Sequence, residues 1–300
     1  TTAAIADGLR RDFTSAQGRR VFSLTRSSFA GQQRTGATLW SGDISGAWDS
    51  LRRQVAASVN YAHSGMPYWS EDIGGFFRPN GQHDDPGYHA LLVRWFQFGV
   101  FTPIFRVHGT NGGTELWLFG AQTQALIVQS AIRLRYRLLP YIYSGFYRVA
   151  SEGYTMQRGL AFDFPASLRA RTVADEFMFG PALLVAPLVA NASARSVYLP
   201  APAGAWRGFY DGKLYVPGGD VTVAPALDEI ALFGRAGSLL LLGPDLQYTG
   251  EKAADPLEVR VFDGADASFT LYEDDGVSAT DPATGAARGG SATITFAWDD

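Results

Sequence analysis

TLWSGDISGAWDSLRRQVAASVN, residues 38–60, holds the unit that fixes the fold. Thr38-Leu39-Trp40 is a short β-prone run that stops at Gly42-Asp43. From residue 47 onward Trp48, Leu51, Val55 and Val59 fall three to four apart, which puts one apolar stripe on a helix. That helix must pack on a sheet, and a strand followed by a polar loop and a helix is the repeating unit of parallel α/β architectures. The unit recurs on both sides. Upstream, residues 19–25 (RRVFSLT) form a β-prone run ahead of a Gly-rich turn. Downstream come an apolar run at 66–69, a loop at Gly74-Gly75, and a helix at about 87–98 carrying Tyr88, Leu91, Leu92 and Trp95. A last strand at 103–107 ends at His108. About four such units amount to half of an eight-unit barrel.

Residues 121–150 make a long amphipathic stretch, expected to be broken or bent at Pro140 because proline removes a backbone donor and clashes with the preceding turn. Beyond Gly153 the texture changes to short β-rich runs at 182–186, 196–199, 230–233, 239–242 and 257–262, punctuated by Gly, Pro and Asp. That is the pattern of β-sandwich domains. A joint near Gly243-Pro244 divides this region. The expected organisation is therefore half a barrel over 1–150, a proximal β-sandwich over 151–243 and a distal one over 244–300. The chain opens on Thr1-Thr2-Ala3, without Met or a leader, and stops in a strand-like run at 292–298, so both ends read as cut. No repeat period or low-complexity tract interrupts it.

Composition removes several classes of function. With 46% hydrophobic and 13% aromatic residues the chain has the means to bury a large core. A net charge of -4 with interspersed signs offers no basic stripe for phosphates, so nucleic acid is not an expected partner. No apolar stretch approaches the roughly 18 to 20 residues of a membrane span. The absence of cysteine rules out disulfides and thiolate chemistry and leaves the compartment open, the periplasm or exterior being favoured. The four histidines, His63, His83, His89 and His108, include no i, i+4 pair, so no metal is assigned, and no motif for a nucleotide or other cofactor occurs.

What remains is polar residues at strand ends: Arg26 after the first strand, Trp40 and Asp43 after the second, Asp72 after the third, Arg106 and His108 around the fourth. In a barrel such positions converge on one pocket. Carboxylates, arginines, a histidine and aromatic rings suit a sugar, whose apolar faces lie on rings while its hydroxyls bond the charged groups. Each residue also has a structural explanation. Asp43 alone is better explained as the N-cap of the following helix, and Asp72 as a turn residue ahead of Gly74-Gly75. For His108, Arg26 and Arg106, structural and functional roles are evenly balanced. Trp48, Trp69 and Trp95 are core residues by type, and only Trp40 has a position that suits a site.

The run LTRSSFAGQQRTGATLWSGD (24–43) resembles a central block of the glycoside hydrolase family 31 α-glucosidases and α-xylosidases. GMPYWSEDIGGF (65–76), RWFQFGVFTPIFRVHG (94–109), DEFMFGPALLVAP (175–187) and FTLYEDDG (269–276) resemble later blocks in the same order. The resemblance covers nearly the whole chain. It implies the second half of a (β/α)8 TIM barrel followed by proximal and distal β-sandwich domains. It also implies that Asp43 is the general acid/base, and that Arg26, Trp40, Asp72 and His108, with Phe76 as a wall, hold the sugar. The family's nucleophilic aspartate belongs to an earlier block resembling W-x-D-x-x-E, and nothing before Arg26 looks like it. The N-terminal half of the barrel is thus an expected missing partner.

The expected activity is retaining, exo-acting hydrolysis of a terminal α-linked xylose or glucose, xylose being favoured by the SSFAGQQR block with SGDI. A retaining enzyme needs two carboxyl groups, one attacking and one exchanging protons, and Asp43 supplies only the second role. It is expected to lie buried against Trp40. The alternatives are a catalytically silent sugar-binding or assembly fragment and, with less support, Asp72 as the nucleophile paired with Asp43. Neither the aglycone nor the oligomeric state is legible.

Overall fold

The computed structural model describes residues 2–15, 17–201, 204–279 and 289–300; residues 280–288 of the expected distal β-domain lie outside them. After a first helix α1 (Thr2–Leu9), strands β1 (Ser23–Thr25), β2 (Ala37–Trp40) and β3 (Trp69–Ser70) form a parallel sheet in that order. Helix α2 (Trp48–His63) crosses from β2 to β3, and α3 (Pro86–Gly99) follows β3. Leu51, Val55 and Val59 of α2 are buried as their spacing requires, and Tyr61 on the same helix stacks on Trp69 of β3. Asp85 caps α3 by accepting from the Gly87 amide, with Pro86 in the first turn, where its missing N–H costs nothing. Leu92, Trp95 and Phe98 of this helix are fully buried, each worth roughly 1.5–3 kcal/mol relative to exposure.

Two expected strands come out shorter. In 19–25 only the second half pairs with the sheet; Arg19 bridges to Ser278, and the Arg20 guanidinium reaches Tyr143 and Asp274. The first half of that run is drawn to the β-rich region. The run 103–107 joins the sheet through a single bridge, Ile73 to Val107, with the Ile73 amide donating to Arg106 O at 3.3 Å. Pro103 has no N–H to give to a ladder. Side chains hold this segment instead: Ser70 Oγ donates to Ile104 O at 2.8 Å, and the Arg135 guanidinium donates to the carbonyls of Val100, Thr102 and Pro103.

The long stretch after residue 120 is α4 (Gly120–Ile127), a single π turn (Val128–Ile132), α5 (Arg133–Arg137) and α6 (Leu139–Glu152). The break falls at Leu138, so that Pro140 occupies the first turn of the new helix.

The remainder is β-rich. Strand β4 (Gln157–Gly159) leads through a short α7 (Leu160–Asp163) to β5 (Phe177–Phe179), β6 (Leu183–Ala186), β7 (Arg195–Leu199), β8 (Trp206–Gly208), β9 (Leu214–Tyr215), β10 (Gly219–Val223) and β11 (Ala231–Arg235). An antiparallel sheet in the order β4-β5-β6-β11-β8-β9 packs with the β7-β10 pair around Trp206, Met178 and Val197. Strands β12 (Ser238–Leu242) and β13 (Glu258–Phe262) pair across Gly243-Pro244, and β14 (Ala267–Asp274) pairs along its length with β15 (Ser291–Trp298). The α/β half is welded to this part. Phe98 and Phe101 pack edge-on against Phe177, and Arg94 of α3 donates to the carbonyls of Pro225, Ala226 and Glu229. Among the described residues no helix is long and apolar enough to cross a membrane.

Candidate functional site

Beyond Trp40 the chain turns through Gly42, whose φ of 78° suits glycine and where a Cβ would stand at van der Waals contact distance from the Arg26 guanidinium. Arg26 lies just past β1 and places Nη2 3.1 Å from Asp43 Oδ1. Across the sheet, Arg106 Nη2 donates to Asp72 Oδ1 at 2.6 Å. Each guanidinium lies 5.8 Å from the centre of the Trp40 ring, within cation–π range. The structure therefore chains five of the residues singled out in the sequence: Asp43, Arg26, Trp40, Arg106, Asp72. The Phe76 ring stands 5.3 Å from that of His108 and meets Phe77 edge-on at 5.0 Å.

The two carboxylates differ. The Asp43 side chain is 33% exposed, whereas that of Asp72 is 0% exposed. Burial raises the Asp72 pKa above the usual carboxylate range; Arg106 and His108 oppose that rise, and the charge of Asp43 adds to it. Asp43 is not buried against Trp40, as its place in the sequence led us to expect, because the Arg26 guanidinium occupies the space beside both.

The structural explanations for the two aspartates do not account for them. Helix α2 has Ala47 at its N-cap position with no side-chain cap, so Asp43 caps nothing. Asp72 contributes its backbone carbonyl to the Gly75 turn, but its carboxylate goes to Arg106 and leaves Oδ2 without a partner among the described residues.

Three supporting residues escaped the sequence reading. Arg78, buried, donates to Ile73 O at 2.7 Å and Gly75 O at 3.1 Å, and the Tyr88 hydroxyl donates to Gly74 O at 2.8 Å, so both fix the loop that carries Asp72 and Phe76. Gly75 itself has φ 83° and approaches Gly46 so closely that a Cβ would stand 2.4 Å from its amide nitrogen. Glu71 is fully buried with neither oxygen hydrogen-bonded among the described residues. Burial, reinforced by Asp72 and opposed by Arg106, pushes its pKa well above the ordinary glutamate value, which favours the protonated form. Tyr88 had shown only as part of an apolar stripe. Nothing in the sequence distinguished Glu71 from a loop carboxylate.

Among the described residues no cluster of three or more His, Asp or Glu is placed to hold a metal ion. Residues 1–145 match the model of the glycosyl hydrolases family 31 TIM-barrel domain, and residues 153–240 match that of the family 31 C-terminal domain. The chain belongs to glycosyl hydrolase family 31. This family 31 chain is 42% identical over 279 residues to an alpha-xylosidase of Saccharolobus solfataricus, covering 92% of this chain and 37% of that protein. It is 33% identical over 264 residues to alpha-glucosidase 2 of Bacillus thermoamyloliquefaciens, covering 86% and 32%. The crystal structure of a family 31 alpha-xylosidase from Xanthomonas citri superposes with a TM-score of 0.89 at 39% identity, covering 99% of this chain and 32% of that one. The chain thus spans about a third of the length of the relatives it matches.

In this family 31 chain, hydrogen-bonding capacity is left over around the Trp40 ring. Trp40 Nε1, Ser41 Oγ, Asp72 Oδ2 and Arg106 Nε have no partner within the described residues. Buried polar groups usually find partners. Donors and acceptors unspent beside an indole are the equipment for a polyhydroxylated ligand.

Proposed function

We propose that this chain carries the acid/base and sugar-binding part of a retaining, exo-acting α-glycoside hydrolase that removes a terminal α-linked xylose, with glucose as the alternative sugar. The observation that carries the proposal is the chain of side chains from Asp43 to Asp72, in which two aspartates each face an arginine and both guanidinia lie over one indole. Asp43 has no capping role and faces Arg26, which leaves its carboxyl available to exchange protons with a leaving oxygen and with water. The preference for xylose rests on the higher identity to the alpha-xylosidase than to the alpha-glucosidase.

In this proposal Arg26 orients Asp43, and Trp40 covers an apolar face of the sugar. Asp72 and Arg106 act as one unit whose spare atoms, Oδ2 and Nε, bond hydroxyls, while His108 and Phe76 form the opposite wall. Asp43 protonates the departing oxygen as a second carboxylate attacks the anomeric carbon; as carboxylate it then removes a proton from the water that releases the sugar. The second carboxylate must lie roughly 5–5.5 Å from the first. Asp72 suits that part poorly: it is buried, raised in pKa and held by Arg106, whereas a nucleophile must be ionised and free to reach carbon. We place the nucleophile instead on a strand that pairs with the outer edge of β1, in the other half of the barrel. The division of the chain into 1–150, 151–243 and 244–300 is part of the same proposal.

The test is Asp43→Ala in the natural protein, assayed on α-xylosides and α-glucosides of graded leaving-group ability. Removing a general acid/base costs roughly 10²–10⁴-fold in rate. The loss should be large for unactivated disaccharides and small for dinitrophenyl glycosides, and azide should restore turnover by giving an α-configured glycosyl azide. Unchanged hydrolysis of the disaccharide would remove Asp43 from the chemistry. A natural protein without the substitution that folds and binds the sugars but never turns them over would favour the silent sugar-binding alternative.

A further inference from the structure

A cleft of about 410 Å³ lies between the long helical stretch and the β-rich part, and the π turn at Val128–Ile132 contributes Gln129 and Ser130 to its lining. Such turns are rare and concentrate at functional sites. One wall carries Ser130 and Arg133, and the other Tyr210, Asp228, Glu229 and Asp245. No residue of the Asp43 cluster lines it.

Ser130 lies at the base of the cleft, 2% exposed, with a hydroxyl that has no partner among the described residues. A serine inside a helix ordinarily returns its hydroxyl to the carbonyl four residues back. Ser144 and Ser151 do so with Pro140 and Tyr147 in the next helix, at 2.7 and 2.9 Å. The π turn denies Ser130 that bond. The side chains of Arg133 and Asp245, of opposite sign, also make no hydrogen bond or ion pair among the described residues. The neighbouring Arg137 and Arg260 are both engaged by Glu258. Tyr210 presents a half-exposed ring beside them.

We infer that this cleft is a second binding site, for a neutral polyhydroxylated ligand, a stretch of oligosaccharide. The mixed charges choose the class. Three arginines, Arg133, Arg137 and Arg260, and three carboxylates, Asp228, Glu229 and Asp245, line the cleft, so an anion would face the carboxylates and a cation the arginines. A sugar uses both kinds of group, its hydroxyls accepting from the guanidinium and donating to Asp245 and Ser130, with an apolar face on the Tyr210 ring. Occupancy would hold an oligosaccharide against the protein away from the bond being cut. The inference concerns binding alone and stands or falls independently of the hydrolase proposal.

The experiment is calorimetric titration of the natural protein carrying Asp43→Ala, to suppress turnover, with maltoheptaose and with a xyloglucan heptasaccharide. Methyl α-xyloside and inorganic phosphate serve as comparisons. At least one of the oligosaccharides should bind at two sites. Adding Tyr210→Ala or Arg133→Gln should weaken one of the two at least ten-fold and leave methyl α-xyloside binding unchanged, while Tyr210→Phe, which keeps the ring, should retain both. One or two binding events that neither substitution alters would overturn the inference, whereas a single event that both weaken would support the cleft and count against the Asp43 site. Equal losses from Tyr210→Phe and Tyr210→Ala would overturn the stacking role, and displacement of the oligosaccharide by phosphate would overturn the choice of a neutral ligand.

Discussion

Replacing Arg135 with methionine tests whether one buried cation holds up the Arg106 side of the site. Arg135 sends Nη1 to Val100 O at 2.6 Å and Thr102 O at 2.7 Å, and Nη2 to Pro103 O at 3.2 Å. These carbonyls lie where α3 ends and the segment bearing Arg106 and His108 begins, a segment that has one bridge in place of a ladder. Burial lowers the Arg135 pKa to about 10, leaving it charged at neutral pH. A depression of that size corresponds to a penalty on the order of 3 kcal/mol. Hydrogen bonds to a charged group contribute about 1.5–3 kcal/mol each, so three of them outweigh the penalty. Methionine keeps most of the volume and leaves the carbonyls unanswered at about 1–3 kcal/mol apiece, the long third contact counting least.

The expected loss in Arg135→Met is therefore about 2–4 kcal/mol, read as a lower midpoint in urea unfolding followed by tryptophan fluorescence. A functional readout should accompany it: KM for the aryl xyloside should rise in the natural protein as Arg106 loses its footing, with a smaller change in kcat. A variant within about 0.5 kcal/mol of the parent would refute the reasoning. The desolvation of the guanidinium would then cancel its bonds, as happens when some buried charges are replaced by apolar groups.

Three titrations and one backbone position give further expectations. The folded pKa of Glu71 is raised, so its contribution is full below the unfolded value of about 4.3 and is lost as pH rises through the folded one. Glu71→Gln should flatten the fall in Tm as pH rises above about 4.3, and an unchanged slope would rule the residue out as its cause. Asp274 is the opposite case. Against the cost of burial, hydrogen bonds from Tyr143 and Arg20 hold it down to about 2, so its contribution is present above about 3.9 and lost as pH falls through 2. Asp274→Asn should destabilise at pH 7 and converge with the parent near pH 2; a constant gap would contradict this. His63 accepts from the Gly159 amide at 2.9 Å, and burial lowers its pKa, so this junction should weaken as pH falls below about 6.5. Hydrogen exchange at the Gly159 amide should accelerate there once the intrinsic rate is corrected, and a pH-independent protection factor would disprove the coupling. Gly75→Ala should cost at least about 1–3 kcal/mol through its positive φ, and the 2.4 Å approach to Gly46 should add to that; a thermal midpoint equal to the parent's would show that the loop relaxes.

The helices were legible because burial repeats with their period. The stripe Leu51, Val55, Val59 predicts α2, and Tyr88, Leu91, Leu92 and Trp95 predict α3, each to within a few residues. The β-rich runs after Gly153 were legible for the same reason, being short, apolar and bounded by turns. Strands of the α/β sheet were less so, since two or three residues carry too little periodicity to separate a ladder from a lone bridge. The π turn was not legible at all, because its local sequence is that of an ordinary helix.

At the site the residue types were legible and their coupling was not. Arg26 and Asp43 are separated by 17 positions and Asp72 and Arg106 by 34, and only parallel strands with matched carboxyl ends bring either pair together. Glu71 and Asp72 show the limit most clearly. They are adjacent carboxylates in one short motif, yet alternation along an extended chain sends them to opposite faces. Register decides which is which. Trp40 lies opposite Ser70 in the ladder, so Asp72, two residues on, shares the face of the indole and its arginines. Glu71 follows Trp69, which stacks on Tyr61 of α2, into the helix-covered layer, where no partner meets it. One residue of register would exchange the two, placing Glu71 among the arginines and the arginine-paired carboxylate in the apolar layer. Asp72→Glu and the exchange of residues 71 and 72 put the same longer side chain at the site and differ only in what occupies the layer. The first lengthens a carboxylate that still faces Arg106, and sugar binding should weaken without unfolding. The exchange retains an acid at each position but moves the longer side chain into the site and the shorter into the layer. If the layer accepts an acid of either length, the exchange should match Asp72→Glu in both sugar binding and Tm; a much lower Tm for the exchange would show that the layer is shaped around the glutamate itself.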